Sequence, residues 1–292
     1  MNSDYKDRIK GALYAFAIGD SMGATTEFMT EEEITEKYGK VTDIVGGGWL
    51  NLKAGECTDD TDMSICVMNS LMENDRDNFE KNTMKNFVEW YNTHPRGIGN
   101  QCRRAIEHYI QYEIFIEEDD TALGNGSLMR ALPCALLDNE TSEDLNIKQG
   151  RLTHNNEMCD RILKEYTQII RDNVNGKNHE LEETQLSKPS GYIVNTFNNA
   201  IHWAKENSVE DCIINAVNNG GDSDTIAAIA GSISGSIHGY STIPKRWIEK
   251  LDENVKEQIE KFVEYLGNQK GGIKCQKKIK RKMWRKKYGL FW

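Results

Sequence analysis

The sequence predicts an all-α fold, and three observations support this prediction. The 292 residues include only four prolines, which tend to interrupt helices. Apolar residues recur at helical intervals over long segments, whereas the apolar–polar alternation that indicates a strand is scarce. The hydrophobic fraction of 38% and the charged fraction of 28% are typical of a soluble globular protein. We therefore expect one compact multi-helix domain.

The helices are predicted in order along the chain. Near the start, apolar residues from Ile9 to Ala17 share a helical face. Thr30 and Glu33 have the spacing of a capping box before a short helix. The polar stretch 172–190 is predicted to be a long surface loop. Further helices are predicted over 61–73, 79–91, 100–113, 126–137, 155–171, 191–206, 208–218, 222–239 and 252–266.

The segment 222–239 is unusually rich in small residues, including glycines at 231, 235 and 239. Each glycine lowers helix propensity by about 1 kcal/mol relative to alanine. Such a helix needs neighbours that pack closely against it, so we expect it at the centre of the domain.

Seven cysteines are scattered along the chain without a C-x-x-C pair. This pattern favours free thiols in a reducing compartment over disulfides or a zinc site. The start of the chain lacks the basic residues of a signal peptide, and no apolar run is long enough to cross a membrane. We expect a cytoplasmic or otherwise intracellular protein without a membrane partner, and a monomer.

The end of the chain has a different composition from the rest. Residues 274–287 contain nine of the 36 basic residues and no acidic ones, and the aromatic residues Trp284, Tyr288, Phe291 and Trp292 lie among and after them. We predict a main domain over 1–267 and a basic, aromatic extension over 268–292. The acidic body would repel nucleic acid, so any contact with nucleic acid is expected through this extension alone. A solvated or packed extension is the alternative.

Two clusters of oxygen-bearing side chains each precede an apolar run that is predicted to be a buried helix: Thr58, Asp59 and Asp60, and Asp222, Asp224 and Thr225. Helix capping needs only one such residue per helix. Crowded carboxylates beside apolar helices are costly unless a cation neutralises them, and magnesium prefers these oxygen ligands. Capping and metal binding remain equal alternatives on spacing alone.

Five segments of the chain carry recognisable motifs. These are GALYAFAIGDSMGATTEF at 11–28, GGGWLNLKAGECTDDTDM at 46–63, GNGSLMR at 124–130, LTH at 152–154 and NGGDSDTIA at 219–227. In this order they resemble the signatures of the ADP-ribosylglycohydrolase family. The resemblance spans most of the chain, from about residue 9 to residue 240.

The resemblance implies an all-α domain with a binuclear magnesium site in a central cleft, in which Mn²⁺ could replace Mg²⁺. The reaction implied is hydrolysis of the glycosidic bond between the distal ribose of ADP-ribose and an acceptor, either a modified protein side chain or a small conjugate. Asp62 points away from Asp60 on a helix and is left out of the ligand set. The implied metal ligands are Thr58, Asp59, Asp60, Asp222, Asp224 and Thr225.

The resemblance also assigns the proton-transfer and substrate-binding roles. Glu27, with help from the metal-bound carboxylates Asp59 and Asp60, would handle the proton. Taken alone, Glu27 is better explained as a surface acid that follows a glycine-bearing turn over 19–23. The tryptophan after the three glycines at 46–48, Trp49, lies either at the mouth of the cleft or in an ordinary turn.

The substrate-binding residues implied are Gly124, Asn125, Gly126, Ser127 and His154. The first four form a glycine-bearing loop that could receive the diphosphate, although a plain turn is the simpler explanation. A lone histidine is more often structural, and only the match to the family motif assigns substrate contact to His154. Arg130 is expected to brace the loop rather than contact the ligand.

Two other functions are compatible with these residues. Asp222-Ser-Asp-Thr resembles the D-x-D-x-T nucleophile motif of metal phosphohydrolases, but no apolar strand precedes it. A catalytically silent relative that binds ADP-ribose or has a structural role is the second alternative. The sequence leaves open which linkage or acceptor is cleaved.

Overall fold

The computed structural model describes residues 2–137, 140–177 and 179–269. Its regular structure is helical, and the described residues contain no strand, only two isolated β-bridges. This confirms the all-α prediction. The helices are α1 (Ser3–Gly23), α2 (Glu31–Tyr38), α3 (Asp59–Met72), α4 (Phe79–Tyr91), α5 (Asn100–Tyr112), α6 (Leu132–Ala135), α7 (Ser142–Arg151), α8 (Glu157–Val174), α9 (Ile193–Ala204), α10 (Val209–Asn218), α11 (Ser223–His238), α12 (Lys245–Lys250) and α13 (253–269).

The centre of the fold is a close pair formed by α1 and α11, both of which are buried over most of their length. Glycines on both helices allow the two backbones to touch. A Cβ atom at Gly19 would lie 2.3 Å from the carbonyl oxygen of Ala227, and one at Gly235 would lie 2.2 Å from that of Gly11. This confirms the prediction that the glycine-rich helix lies at the centre. It also brings the C-terminal end of α1 beside the N-terminal end of α11.

The prediction of a continuous helix over 126–137 is wrong. A 3-10 turn over Asn125–Ser127 is followed by an irregular segment and then by the single-turn helix α6. Pro133 lacks the N–H that would bond the carbonyl of Met129, so a helix cannot continue through both residues. The Met129 carbonyl instead accepts a hydrogen bond from Ser64 on α3 at 3.3 Å.

Other local differences have simple causes. The glycine-bearing segment 19–23 is not a turn but the last part of α1, because its glycines face α11. The pattern missed α7, whose buried face includes the polar residues Asn146 and Gln149 instead of an apolar stripe. It also missed α12, which has only six residues. The capping box of Thr30 and Glu33 is confirmed by both of its hydrogen bonds.

The six cysteines within the described residues are free thiols, as predicted. None of the described helices combines the length and the apolar character needed to cross a bilayer. The predicted division at residue 267 falls within α13, and residues 270–292 lie outside the described residues. A separate extension and its contact with nucleic acid therefore stay predictions.

Candidate active site

A cleft of about 550 Å³ opens where the C-terminal end of α1 meets the N-terminal ends of α3 and α11. The chain after α1, the loop before α5 and the turn before α6 complete its walls. Most of the predicted site residues line this cleft: Glu27, Asp59, Asp60, Gly124, Asn125, Gly126, His154, Asp222, Asp224 and Thr225. Thr58 and Ser127 are buried behind the wall.

The two acidic clusters meet at the carboxylate of Asp60. Its Oδ2 atom accepts hydrogen bonds from the hydroxyl of Thr58 at 3.4 Å and from that of Thr225 at 3.3 Å. Thr225 lies 165 residues further along the chain than Asp60. The structure therefore joins the two sequence clusters into one group of oxygen atoms.

Helix capping accounts for only one member of this group. Thr58 caps α3, since its hydroxyl accepts from the backbone N–H of Asp60 at 3.3 Å. Asp222 occupies the equivalent position before α11, but its carboxylate makes no capping bond to a described residue. It accepts instead from the side-chain amide of Asn125. The carboxylates are therefore available for a role other than capping.

Asp20, near the C-terminal end of α1, is a further member of this group that the sequence analysis missed as a site residue. Its fully buried carboxylate accepts from the backbone N–H groups of Thr58 at 3.1 Å and Thr61 at 3.0 Å. These bonds fix the start of α3, and with it the position of Asp59 and Asp60. Asp20 lies within the motif at 11–28, but nothing in that motif distinguishes it from the other residues.

Most carboxylates of this group are buried close to one another, which disfavours their charged form. Burial raises the pKa of Glu27 to about 7 and the pKa of Asp59 to about 8. It raises the pKa values of Asp60 and Asp224 well above their ordinary value, with neighbouring carboxylates adding to the effect. No salt bridge within the described residues neutralises any of them.

The donor set fits a hard divalent cation. The Oδ1 atom of Asp60 is buried and has no hydrogen-bond partner among the described residues. Carboxylate oxygens of Glu27, Asp222 and Asp224 lie within 4.8 Å of one another. Buried, unpaired oxygen atoms are costly, and a bound cation would remove this cost.

Glu27 is held at the mouth of the cleft. Its Oε2 atom accepts a 2.6 Å hydrogen bond from the indole N–H of Trp49. Trp49 follows Gly46, Gly47 and Gly48, all of which have positive φ angles. A Cβ at Gly48 would lie 1.9 Å from the carbonyl oxygen of Ala24, so this loop is pressed against the chain that leads to Glu27. The structure thus places Trp49 at the cleft mouth.

The loop over 124–127 has a structural role that is visible in its hydrogen bonds. Asn125 bridges two elements, because its side-chain amide donates to Asp222 and, at 3.0 Å, to the hydroxyl of Thr196. Gly124 and Gly126 face the cleft, whereas Ser127 is fully buried. Asn125 therefore positions Asp222, and the substrate-binding roles of the loop stay predictions.

His154 lines the cleft beside this loop, and Arg130 lies behind it. Burial lowers the pKa of His154 to about 3, and nearby Arg130 adds to this effect, so the imidazole is neutral at pH 7. Its Nδ1 atom lies 2.8 Å from the hydroxyl of Thr153. Arg130 is fully buried and donates to the carbonyl oxygen of Gly126 at 2.6 Å and to the side chain of Gln149 at 2.8 Å. The prediction that Arg130 braces the loop is confirmed.

Asp62 is outside the site, as predicted. Its carboxylate accepts a 2.9 Å hydrogen bond from the indole N–H of Trp90 on α4, on the side of α3 that faces away from the cleft.

Comparisons with known proteins identify the family of the chain. A model of the ADP-ribosylglycohydrolase family matches residues 1–184 and 159–273. The ADP-ribosyl-[dinitrogen reductase] glycohydrolase of Rhodospirillum rubrum is 34% identical, and the match covers 89% of this chain and 95% of that protein. An ADP-ribosylarginine hydrolase of Pseudomonas putida is 31% identical, with 84% of this chain and 74% of that protein covered.

A solved structure supports the same relationship. An ADP-ribosylglycohydrolase-related protein complex contains a chain that matches with a TM-score of 0.79 and 26% identity, over 91% of this chain and 98% of that one. The sequence resemblance is thus confirmed over nearly the whole length. The chain belongs to the ADP-ribosylglycohydrolase family and is a hydrolase of ADP-ribose conjugates.

Proposed function

We propose that the protein is a magnesium-dependent hydrolase that cleaves the bond between the distal ribose of ADP-ribose and a modified protein side chain or small acceptor. The observation that carries the metal requirement is the buried group of carboxylates, which have no cationic partner among the described residues and include the orphaned Oδ1 of Asp60. Arginine is the first acceptor to test, because one similar protein is an ADP-ribosylarginine hydrolase.

The residues that would hold two magnesium ions are Thr58, Asp59, Asp60, Asp222, Asp224 and Thr225, and manganese would suit the same oxygen ligands. A bound ion would orient the ribose hydroxyls and lower the pKa of a water molecule. Asp20 and Asn125 position two of these ligands through the hydrogen bonds described above.

In the proposed reaction, water adds to the anomeric carbon of the ribose while the bond from that carbon to the acceptor atom breaks. One proton of the water passes to a carboxylate of the cleft, and the acceptor leaves with a proton. Glu27 is suited to this transfer by its position, because its carboxyl group lies at the mouth of the cleft within 4.8 Å of the carboxylates of Asp222 and Asp224. Trp49 holds one oxygen of this carboxyl group in place.

The test compares two identical substitutions on the same helix. Asp60→Asn should lower kcat/KM on ADP-ribosylated substrates by at least about 100-fold, or about 2.7 kcal/mol of barrier, and should abolish the rise in Tm that magnesium produces. Asp62→Asn, two residues away and outside the cleft, should retain both properties. Activity is measured on arginine, serine and acetyl-ester conjugates of ADP-ribose, each with magnesium, with manganese and with EDTA.

Three outcomes would contradict the proposal. If Asp60→Asn retained full activity in EDTA, the metal assignment would be wrong. If the wild-type protein bound ADP-ribose but hydrolysed no conjugate, it would be a catalytically silent relative that only binds ADP-ribose. A phosphoenzyme formed at Asp222 or Asp224 would instead indicate a phosphohydrolase.

A further inference from the structure

A second groove adjoins the catalytic cleft and shares a wall with it. This outer groove has a volume of about 490 Å³ and lies between α2 and the chain that follows α1. Glu27, Phe28 and Trp49 line both the groove and the cleft. A substrate that extends out of the cleft on this side would pass these three residues.

The shared wall contains two exposed aromatic rings. Phe28 is 65% exposed and Trp49 is 54% exposed, and their ring centroids lie 5.5 Å apart. Phe28 also has a φ angle of 64°, a conformation that is uncommon for a bulky residue. An exposed apolar pair held in this way is typical of a binding surface.

The backbone holds Phe28 in this position from both sides. Its N–H donates to the carbonyl oxygen of Gly221 at 2.6 Å, and the N–H of Gly221 donates to the carbonyl oxygen of Met29 at 2.8 Å. Gly221 directly precedes Asp222 in the catalytic cleft. The ring of Phe28 is thus fixed relative to the catalytic carboxylates rather than placed on an independent loop.

The charge of the outer groove is negative. Its charged lining consists of Glu27, Glu33 and Glu36 against the single cation Lys37. Among the described residues, Glu36 has no salt-bridge partner. Such a surface is less favourable for the diphosphate of ADP-ribose than for a cationic group. Acidic side chains beside exposed aromatic faces instead favour ammonium or guanidinium groups.

We propose that the outer groove binds the polypeptide next to the modified side chain of an ADP-ribosylated protein and selects segments with Lys or Arg close to that side chain. The aromatic pair, Phe28 and Trp49, would pack against the cationic side chain, and Glu36 would face its charge. This inference rests on the proposed function, because it assigns the acceptor side of the same reaction.

The experiment uses three ADP-ribosylated substrates that share one modified amino acid: the modified amino acid alone, a peptide in which lysines flank it, and a peptide in which glutamates flank it. The wild-type protein should prefer the lysine peptide over the glutamate peptide in kcat/KM by about fivefold or more. Glu36→Lys should remove or reverse this preference and leave hydrolysis of the free amino-acid conjugate unchanged.

The matched control is Glu32→Lys, which makes the same charge change on α2 at an exposed residue outside the groove lining. It should keep the wild-type preference. Equal preferences in all three proteins, or equal losses in both variants, would overturn the inference, since the groove would then have no local effect. Failure to hydrolyse the free amino-acid conjugate would contradict the proposed function itself, and with it this inference.

Discussion

Trp49 connects the mouth of the cleft to its glutamate through a single hydrogen bond. Trp49→Phe keeps an aromatic ring but removes the N–H that Glu27 accepts from, together with part of the ring volume. We expect kcat to fall about tenfold, equivalent to about 1.4 kcal/mol, with KM changed less than about twofold, because proton transfer and not ground-state binding depends on this bond. Steady-state kinetics with saturating magnesium measures both values.

Trp203 provides the control for this substitution. Its indole N–H is buried without a hydrogen-bond partner among the described residues, so Trp203→Phe removes no such bond. It should leave kcat unchanged. If the two variants lost the same activity, the effect of Trp49→Phe would reflect lost packing rather than the position of Glu27.

At the residue scale, the sequence motifs predicted the carboxylates of the cleft but not the residues that position them. Asn125 pairs with Asp222 across 97 residues, and Asp20 bonds the start of α3 across 38 to 41 residues. Such partners leave no local spacing pattern, because the fold alone brings them together. The assignment of Asn125 to substrate binding overlooked this contact for the same reason.

At the scale of elements, the glycine contacts between α1 and α11 lead to a stability prediction. In an isolated helix Gly19→Ala would gain about 1 kcal/mol of helix propensity. In this protein the new methyl group would lie 2.3 Å from the carbonyl oxygen of Ala227, so the helices must separate. We expect a net loss of at least about 2 kcal/mol in the free energy of unfolding, measured by urea denaturation.

Gly99→Ala is the comparison for this prediction. Gly99 has a φ angle of −60°, and a Cβ there would meet no atom within 4 Å. This variant introduces no clash and should lose far less stability than Gly19→Ala, about 0.5–1 kcal/mol, because alanine is less favourable than glycine at the N-cap of α5. A Gly19→Ala variant of equal stability would show that α1 and α11 can move apart at little cost.

The predicted helices were confirmed where an apolar stripe or a capping box specified them, as in α3, α4 and α8. Prediction failed where other features determine the structure. Pro133 interrupts the segment 126–137, and α7 buries the side chains of Asn146 and Gln149 beside a single leucine, Leu145. Buried polar side chains look like surface residues in a sequence, because the residues with which they form hydrogen bonds lie far away along the chain.

At the scale of the whole molecule, the carboxylates couple folding to pH. Glu27 and Asp59 have ordinary pKa values of 4.5 and 3.8, and the fold raises them to about 7 and about 8. The folded state therefore binds protons more tightly than the unfolded state. This contribution to stability is complete below about pH 4 and is lost as the pH rises through 7 to 8.

Urea denaturation in EDTA, at intervals from pH 5 to pH 8, measures this effect. Asp59→Asn should gain stability relative to the wild-type protein as the pH rises, because the amide of the variant does not ionise, whereas the carboxyl group of Asp59 does. The fold lowers the pKa of His154, so this histidine makes stability rise with pH. The effect is the same in the wild-type protein and in the variant, and it cancels when the two are compared. Magnesium should remove most of the difference at pH 8. A difference that is independent of pH would contradict the prediction.

The contact between α1 and α11 also has a consequence for synthesis. Gly23, the last residue of α1, and Ser223, the first of α11, are 200 residues apart, and their contact includes a hydrogen bond between them. At a translation rate of about 5–20 residues per second, α1 leaves the ribosome roughly 10–40 s before its partner exists. During that interval the mostly apolar surface of α1 is not yet buried against α11. Slow translation of the middle of the chain would lengthen the interval, so the yield of folded protein depends on the pace of synthesis as well as on final stability.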